Sequence, residues 1–292
     1  MEKTSLVIEG GGMRGMYTAG VLDCLIQRNI YWNNTYGVSA GACHGLSYIS
    51  KQFDRARRVN ANYASKARYS GVYCLLKHGT YFGFDYIFKT IPKENPIDWF
   101  TFFKNQSVER KFIITVTNAE TGKAEYIQPN SPEDALQWLQ ASSSLPIIGK
   151  PMHINGKIYF DGGISDSIPI MKAQQDGNTK HIIILTQPKD YKKKPVSSSM
   201  KKVLKRMYKK YPNFIEANLA RPDLYNKTLN LINQLEEENK AFVFRPKEDV
   251  LVSRLCKDKE RLNKLYQAGY EDCLSNIDCL LKFAPSATLA VK

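Results

Sequence analysis

The sequence lacks any apolar run long enough to cross a lipid bilayer, although 43% of its 292 residues are hydrophobic. The longest apolar strings, such as Ile182 to Leu185, have the length of a buried strand, whereas a membrane-spanning helix needs about 20 apolar residues. We therefore expect a protein that does not cross a membrane. The length and the apolar fraction suit one large globular domain, or a domain with a substantial extension.

Paired cysteine spacings are missing as well. The six cysteines lie in apolar or helical contexts and show none of the short spacings that suit a metal site. The first residues do not have the pattern of a secretory signal peptide. We therefore expect no bound metal, and reduced core thiols in a cytoplasmic protein. The six residues are Cys24, Cys43, Cys74, Cys256, Cys273 and Cys279.

The sequence also lacks the usual signatures of nucleic-acid binding, despite a net charge of +14. It contains no zinc-finger spacing, no aromatic RNA-binding signature and no clear helix-turn-helix pattern. The charge is local, because ten Lys or Arg residues and one acid, Asp190, lie between Lys189 and Lys210. We expect this stretch to meet an anionic membrane or an acidic protein surface rather than nucleic acid.

Glycine is concentrated in the first of three motifs. Residues 4–9 predict a buried strand that leads into Gly10-Gly-Gly-Met-Arg-Gly15, and apolar residues at helical spacing then predict a helix up to Arg28. A Gly-x-Gly-x-x-Gly turn suggests dinucleotide binding, but that function needs an acidic residue at the end of the second strand. Here the second predicted strand, Asn34 to Val38, ends in Ser39, which argues against a nucleotide cofactor.

The second motif, Gly37-Val-Ser-Ala-Gly41, places Ser39 between two glycines at a predicted strand-to-helix corner. Glycines there allow a tight turn, so the serine side chain can point outward as a nucleophile near the positive end of a helix. A serine that caps a helix after a glycine turn is the alternative interpretation.

The glycine loop and the Ser39 corner are expected to face each other. In a parallel sheet, the loops at the carboxyl ends of neighbouring strands meet in one crevice. The backbone N–H groups of Gly11 and Gly12 could then bind the oxygen of an attacked carbonyl group. Arg14 could orient this loop, meet an anionic substrate group, or lie in solvent.

The third motif is Asp161-Gly162-Gly163, which follows a predicted strand over 157–160. A carboxylate at a strand end could hydrogen-bond the Ser39 hydroxyl and act as a base if burial raises its pKa. An ordinary Asp-Gly turn is the alternative. A Ser-His-Asp triad fits less well, because no histidine follows the acid in a suitable loop. The four histidines are His44, His78, His153 and His181.

Between the second and third motifs the predicted elements are helical and then extended. Residues 42–68 predict a pair of surface helices with a basic face that includes Arg55, and 69–103 are rich in aromatic residues. The aromatic stretch predicts either an acyl-chain channel or cap over the serine, or part of the core. Strands are predicted over 112–117 and 124–127, a helix over 132–139 and a polar loop over 141–146.

The three motifs together resemble the patatin-like phospholipase family over residues 4–187. The polar loop at 141–146 is also similar to an Ala-Ser-rich loop of that family. The resemblance implies a three-layer α/β/α fold with a mainly parallel sheet, and hydrolysis of lipid acyl esters by a Ser-Asp dyad without a metal or cofactor. It assigns Ser39 as nucleophile and Asp161 as general base. It assigns the backbone of Gly11, Gly12 and Met13 as the oxyanion hole, supported by Gly10, Arg14, Gly15, Gly37, Gly41, Gly162 and Gly163.

Residues 188–292 are predicted to form a mainly helical extension. Its first part, within 189–211, predicts a basic amphipathic helix whose apolar face either lies on anionic lipid or packs on the core. A helix over 224–235, a strand over 241–244 and a helix over 261–283 follow. The apolar face consists of Met200, Val203, Leu204, Met207, Tyr208 and Tyr211.

The sequence therefore predicts a serine acyl hydrolase of the phospholipase A, lysophospholipase or esterase type. The expected partner is a lipid ester, with peripheral membrane contact through 189–211. A non-catalytic lipid- or protein-binding module on the same fold is the alternative.

Overall fold

A single sheet of eight strands organises the computed structural model, which describes residues 3–106 and 110–285. The strands are β1 (Thr4–Ile8), β2 (Asn34–Val38), β3 (Lys111–Asn118), β4 (Ala124–Ile127), β5 (Met152–Ile154), β6 (Lys157–Asp161), β7 (Lys180–Ile184) and β8 (Ala241–Phe244). The helices are α1 (Met16–Gln27), α2 (Ala40–Ile49), α3 (Arg55–Ala61), α4 (Val72–His78), α5 (Ile91–Glu94), α6 (Trp99–Lys104), α7 (Pro132–Ser142), α8 (Ile170–Gln175), α9 (Ser198–Met207), α10 (Pro212–Glu237), α11 (Lys259–Ser275) and α12 (Ile277–Phe283).

The strand order is β5-β6-β3-β2-β1-β7-β8, with β4 paired to β3. Strands β3, β2, β1, β7 and β8 run parallel to one another, whereas β4, β5 and β6 join in antiparallel pairs. The mainly parallel sheet expected from the motifs is therefore present. Parallel strand β8 adds to the outer side of β7, so the C-terminal part of the chain shares the same sheet.

The two faces of the sheet are buried in two separate apolar clusters. Leu6 and Ile8 face a cluster that includes side chains of α1, α2 and α11, whereas Val7 faces a cluster with side chains of α8 and α10. Neighbouring residues of a strand point to opposite faces, so this alternation requires helices on both sides. The expected three-layer α/β/α fold is confirmed.

Strands β2 and β6 meet end to end along one edge of β3. Val38 of β2 pairs with Thr115, and Asp161 of β6 pairs with the next residue, Val116. Strand β4 pairs with residues of β3 that overlap both registers, so it occupies the opposite edge. This arrangement brings the carboxyl ends of β2 and β6 together and sets the position of the site described below.

Helices α1 and α11 pack unusually closely. A Cβ atom on Gly20 would lie 2.0 Å from the Tyr266 carbonyl oxygen, and one on Gly269 would lie 2.1 Å from the Tyr17 carbonyl oxygen. Only glycine fits at these two crossing points, because any Cβ atom would overlap the facing backbone. Helix α11, near the C-terminal end of the described residues, is thereby held directly against α1.

Several predicted elements differ from the observed ones. The helix predicted over 224–235 begins at Pro212, and the helix predicted over 261–283 is broken at Asn276 into α11 and α12. Residues 141–142 belong to α7 rather than to a loop, and the basic helix ends at Met207. Pro212 stands in the first turn of α10, where proline is tolerated, and burial of Ala141 and Ser142 favours the longer α7.

Two surface predictions are wrong. Arg55 was expected on the exposed basic face of 42–68, but it is buried and its guanidinium group donates to Ser47 Oγ and the Asn95 carbonyl oxygen. Cys279 was expected in the core, but it is exposed, and Cys43 is half-buried; all six thiols are free.

Among the helices in the described ranges, none is long and apolar enough to cross a membrane.

Candidate active site

Ser39 occupies the predicted corner between β2 and α2 in a left-handed backbone conformation, with φ of 53° and ψ of −125°. Such a conformation is strained for a residue other than glycine. The flanking glycines permit the turn: a Cβ atom on Gly37 would lie 2.6 Å from Ala42 Cα, and one on Gly41 would lie 2.5 Å from the Glu9 carbonyl oxygen. Ser39 stands at the N-cap position of α2, but its side chain makes no capping hydrogen bond, so capping does not occupy the hydroxyl group.

The backbone of Ser39 is fixed by a second serine. The Ser39 N–H donates to Ser142 Oγ at 2.8 Å, and the Ser142 hydroxyl donates to the Thr115 carbonyl oxygen at 2.7 Å. From the sequence, the serines at 142–144 are predicted to belong to a polar loop, because no glycine turn frames them as it frames Ser39. The proximity of Ser142 to Ser39 could not be predicted from spacing, since 103 positions separate the two residues.

Asp161 is buried at the end of β6 and lines the same crevice as Ser39. Its Oδ1 atom accepts the Gly163 N–H at 2.8 Å, and its own N–H donates to the Ser144 carbonyl oxygen at 2.9 Å. Burial raises the pKa of Asp161, while Arg221, Ser39 and Gly163 oppose that shift. A raised pKa makes the carboxylate a better base than a solvated aspartate.

The glycine loop after β1 lies against this pair. A Cβ atom on Gly10 would lie 3.1 Å from Ser39 Cβ, and one on Gly11 would collide with the Thr186 side chain. Gly12 has φ of 56°, a conformation that favours glycine. In the described part of the chain, the N–H groups of Gly11 and Gly12 have no hydrogen-bond acceptor, so both are free to bind an oxyanion.

Met13 differs from the expectation for an oxyanion-hole donor. Its N–H donates to the Arg254 carbonyl oxygen at 3.1 Å, so this group is already bonded. Arg14 does not lie in solvent: it is half-buried, and its Nε donates to the Val252 carbonyl oxygen at 3.0 Å. Both contacts tie the glycine loop to residues 252–254, and no local pattern predicts this proximity.

Glu9 is a further buried residue that sequence reasoning missed. Its carboxylate accepts the Thr186 N–H at 2.6 Å and the Tyr225 hydroxyl at 2.7 Å. These bonds join the ends of β1 and β7 to α10, just before the glycine loop begins. An acidic residue directly before Gly10 was the available signal, but its partners lie at least 177 positions away.

The histidines take no part in the pair. His44 is buried on α2 against Gly15, and burial lowers its pKa to about 4. His181 is also buried, and its Nδ1 atom is hydrogen-bonded to Ser5 Oγ at 2.8 Å. Within the two described ranges, no histidine side chain is hydrogen-bonded to Ser39 or Asp161. The described structure therefore gives no support to a Ser-His-Asp triad at Ser39 and Asp161.

A crevice extends from Ser39 and Asp161 between the sheet and the aromatic segment. Side chains from 69–103 cover one wall, while Phe102 is buried against Phe112 and belongs to the core. Part of the aromatic stretch thus lines the crevice and part belongs to the core, while an acyl-chain channel or cap stays a prediction. The apolar wall includes Val59, Phe82, Phe84, Ile87, Phe88 and Leu139.

The sequence model of the patatin-like phospholipase domain matches residues 6–173, more than half of the chain. The chain belongs to the patatin-like phospholipase family. The predicted resemblance is confirmed over nearly all of its expected range. A second sequence model, described as a domain of unknown function (DUF6363), matches residues 211–285.

Curated relatives align with the patatin-like part of the chain. The uncharacterized protein YjjU of Escherichia coli is 29% identical over 188 residues, which are 64% of this chain and 52% of YjjU. The lysophospholipase NTE1 of Cryptococcus neoformans is 24% identical over 65% of this chain and 12% of NTE1. The mouse 1-acylglycerol-3-phosphate O-acyltransferase Pnpla3 is 26% identical over 58% of this chain and 41% of Pnpla3.

The chain spans about half the length of YjjU and a smaller share of the other two relatives. Among solved structures, the crystal structure of VipD from Legionella pneumophila aligns over 95% of this chain and 67% of that chain. The two are 13% identical, with a TM-score of 0.47.

The patatin-like domain supplies the Ser-Asp pair, but residues beyond it also line the crevice. These are Lys193, Arg221 and Arg254, and the last two lie in the segment that matches the domain of unknown function. Sequence reasoning counted Lys193 only as part of a surface charge run and did not single out the two arginines. In the described residues, no three or more His, Cys, Asp or Glu side chains form a group that could hold a metal ion.

Proposed function

We propose that this protein hydrolyses carboxylic esters of lipids through an acyl-enzyme on Ser39. The observation that carries the proposal is the strained Ser39 corner, which shares one crevice with the buried Asp161 carboxylate and with two backbone N–H groups that have no acceptor in the described residues. A nucleophile, a base of raised pKa and an oxyanion site in one crevice are the three parts that acyl transfer requires.

The reaction proceeds in two steps, acylation of Ser39 and then hydrolysis of the acyl-enzyme. Ser39 Oγ attacks the ester carbonyl while its proton passes to Asp161, and the N–H groups of Gly11 and Gly12 bind the developing oxyanion. The carbon–oxygen bond to the leaving alcohol then breaks, and the alcohol takes the proton from Asp161. Water attacks the acyl-enzyme and gives a proton to Asp161, the bond to Ser39 breaks, and Ser39 recovers that proton as the fatty acid leaves.

A lipid substrate is favoured by the crevice and by the relatives. The apolar wall offers aliphatic and aromatic side chains next to Ser39, where an acyl chain could lie. NTE1 is named a lysophospholipase, and Pnpla3 is named an acyltransferase of 1-acylglycerol-3-phosphate. We therefore propose phospholipids or lysophospholipids as the substrate class, with hydrolysis independent of metal ions.

Peripheral contact with an anionic membrane is part of this proposal. Helix α9 buries Leu204 against the protein, but Met200, Val203 and Met207 are exposed beside its lysines. Apolar side chains next to exposed basic residues favour adsorption to anionic lipid surfaces. One side of α9 therefore packs on the core, and the exposed apolar side chains on another side are available for contact with a membrane.

Ester turnover by the wild-type protein and by Ser39→Ala, with folding checked by circular dichroism, tests the proposal. We expect the wild-type protein to release fatty acid from a lysophospholipid and the Ser39→Ala variant to release none. A folded Ser39→Ala variant with wild-type turnover would exclude Ser39 as nucleophile. A wild-type protein that binds the lipid without turnover would instead support the non-catalytic binding module.

A further inference from the structure

Three cationic side chains from the C-terminal part of the chain line the crevice that holds Ser39 and Asp161. They are Lys193, Arg221 and Arg254. We propose that these three residues bind the phosphate group of the lipid substrate, so that the site selects phosphate-bearing monoacyl esters over neutral acyl esters. The inference rests on the proposed hydrolase function and names the chemistry that its substrate must carry.

The sheet topology explains why these residues converge. Strand β8 is parallel to β7, so the chain that leaves β8 emerges at the same sheet edge as the glycine loop and Ser39. That chain carries Arg254, and the chain that leaves β7 carries Lys193. Arg221 comes from α10, and its Nη2 atom would lie 3.2 Å from a Cβ atom on Gly163.

The three cations are not neutralised by ion pairs. In the part of the chain that the structure describes, none has a carboxylate oxygen within 4.0 Å of a side-chain nitrogen. The Nε atom of Arg221 is fully enclosed and has no hydrogen-bond partner. Burial lowers the pKa of Arg221 because it disfavours the charged guanidinium group, and a phosphate bound to this group from the crevice would stabilise that charge.

The nearby carboxylates are engaged elsewhere. Glu9 accepts from Thr186 and Tyr225, and Asp161 accepts from Gly163 and faces Ser39. Burial and the neighbouring guanidinium groups lower the pKa of Lys193 to about 6, as expected where like charges are held together. A bound anion would relieve this repulsion.

The backbones of Lys193 and Arg254 are held by hydrogen bonds in the protein without a ligand. The backbone of Lys193 exchanges two hydrogen bonds with the Asn226 side chain, at 2.8 and 3.0 Å, and its Nζ lies 3.7 Å from the centre of the Tyr225 ring. The Arg254 carbonyl accepts the Met13 N–H at 3.1 Å. A preformed site loses less entropy on binding than side chains that must be ordered by the ligand.

The chemistry of the crevice matches a molecule that is anionic near its ester and apolar beyond it. Arginine binds phosphate oxygens in a planar, two-bond geometry, and lysine adds a compact charge. The apolar wall lies in the same crevice, so a phosphate on the cations and an acyl chain on that wall could place the ester near Ser39. A short-chain 1-acylglycerol-3-phosphate is the simplest such molecule.

Binding to the full-length Ser39→Ala protein tests the inference without turnover. Calorimetry would compare three probes: short-chain 1-acylglycerol-3-phosphate, the monoacylglycerol with the same acyl chain, and inorganic phosphate. We expect the phosphate-bearing ester to bind at least tenfold more tightly than either other probe. Adding Arg254→Gln should remove most of that difference, whereas Lys227→Gln on the exposed side of α10 should leave it unchanged.

Three results would overturn the inference. The two esters could bind equally, inorganic phosphate could bind as tightly as the phosphate-bearing ester, or Arg254→Gln and Lys193→Gln in the folded protein could leave the preference intact. The second result would indicate a site for free phosphate rather than for a lipid head group. If the expected binding is found but wild-type protein hydrolyses neither ester, the proposed hydrolase fails while the phosphate site stands.

Discussion

The Ser39 N–H donates to Ser142 Oγ at 2.8 Å, so the backbone of the proposed nucleophile is held by a side chain on α7. Replacing Ser142 by alanine removes this bond and the bond to the Thr115 carbonyl oxygen. We expect kcat to fall about 10- to 100-fold with little change in KM, because small displacements of a reacting group are costly. Steady-state kinetics measures this effect.

Ser144→Ala is the matched control for Ser142→Ala. Its hydroxyl is also buried and donates to a backbone carbonyl, that of Gln140, at 2.9 Å, but it does not contact Ser39. Both substitutions should lower the free energy of unfolding by about 1–3 kcal/mol, since each leaves a buried carbonyl without this donor. Equal kinetic losses in the two variants would show that Ser142 has no special role in positioning Ser39.

The pH dependence of ester hydrolysis reports on Asp161. Asp161 must be deprotonated to act as the base. We therefore expect kcat/KM to fall as the pH decreases through the pKa of Asp161, which burial raises. Arg221 lowers this pKa, so Arg221→Gln should move the acidic limb for a neutral ester to higher pH. A pH profile beside that of Lys227→Gln measures the shift; an unmoved limb would contradict the assignment of Asp161 as the base.

Lys193 should take up a proton when the phosphate-bearing ester binds. Its pKa is lowered to about 6 in the free protein, so the amine is largely neutral at pH 7. An adjacent anion favours the charged form and raises the pKa, which draws a proton from solution. Calorimetry in buffers of different ionisation enthalpy should detect this uptake at pH 7. Lys193→Met should abolish it, and persistence of the uptake would assign it to another group.

Anionic vesicles test the exposed face of α9. Reversing two of its exposed lysines, with Lys201→Glu and Lys205→Glu, should weaken binding to vesicles that contain anionic lipid, because each basic residue near such a surface contributes about 1 kcal/mol. Lys227→Glu on α10 together with Lys264→Glu on α11 changes the net charge by the same amount at two other exposed positions and serves as the control. Sedimentation with vesicles measures binding, and equal loss in the control would indicate a non-specific charge effect.

Local motifs were sufficient to predict the core of the fold and the two turns that carry Ser39 and Asp161. Gly37 and Gly41 around Ser39, and the glycines after Asp161, mark turns whose geometry depends on residues a few positions apart. Apolar runs likewise predicted β2, β4 and β8 with their observed bounds. These elements follow from patterns that can be read within a short window.

Contacts between distant segments could not be predicted in the same way. Glu9 meets Tyr225 across 216 positions, and the Met13 N–H meets the carbonyl of Arg254. Such contacts depend on the order of the strands in the sheet. Here they depend on the position of β8 next to β7, which cannot be read from a short stretch of sequence. Arg55 shows the same limit: its basic neighbours indicated a solvent-exposed face, but packing buries it.

The most direct test of the proposed Ser-Asp chemistry is labelling by a fluorophosphonate probe, with the adduct located by peptide mass spectrometry. Such probes react with serines that are activated as nucleophiles. We predict a single adduct on Ser39 in the wild-type protein, none in Ser39→Ala and much slower labelling in Asp161→Asn. Folded wild-type protein that stays unlabelled, or equal labelling of wild type and Asp161→Asn, would contradict the account.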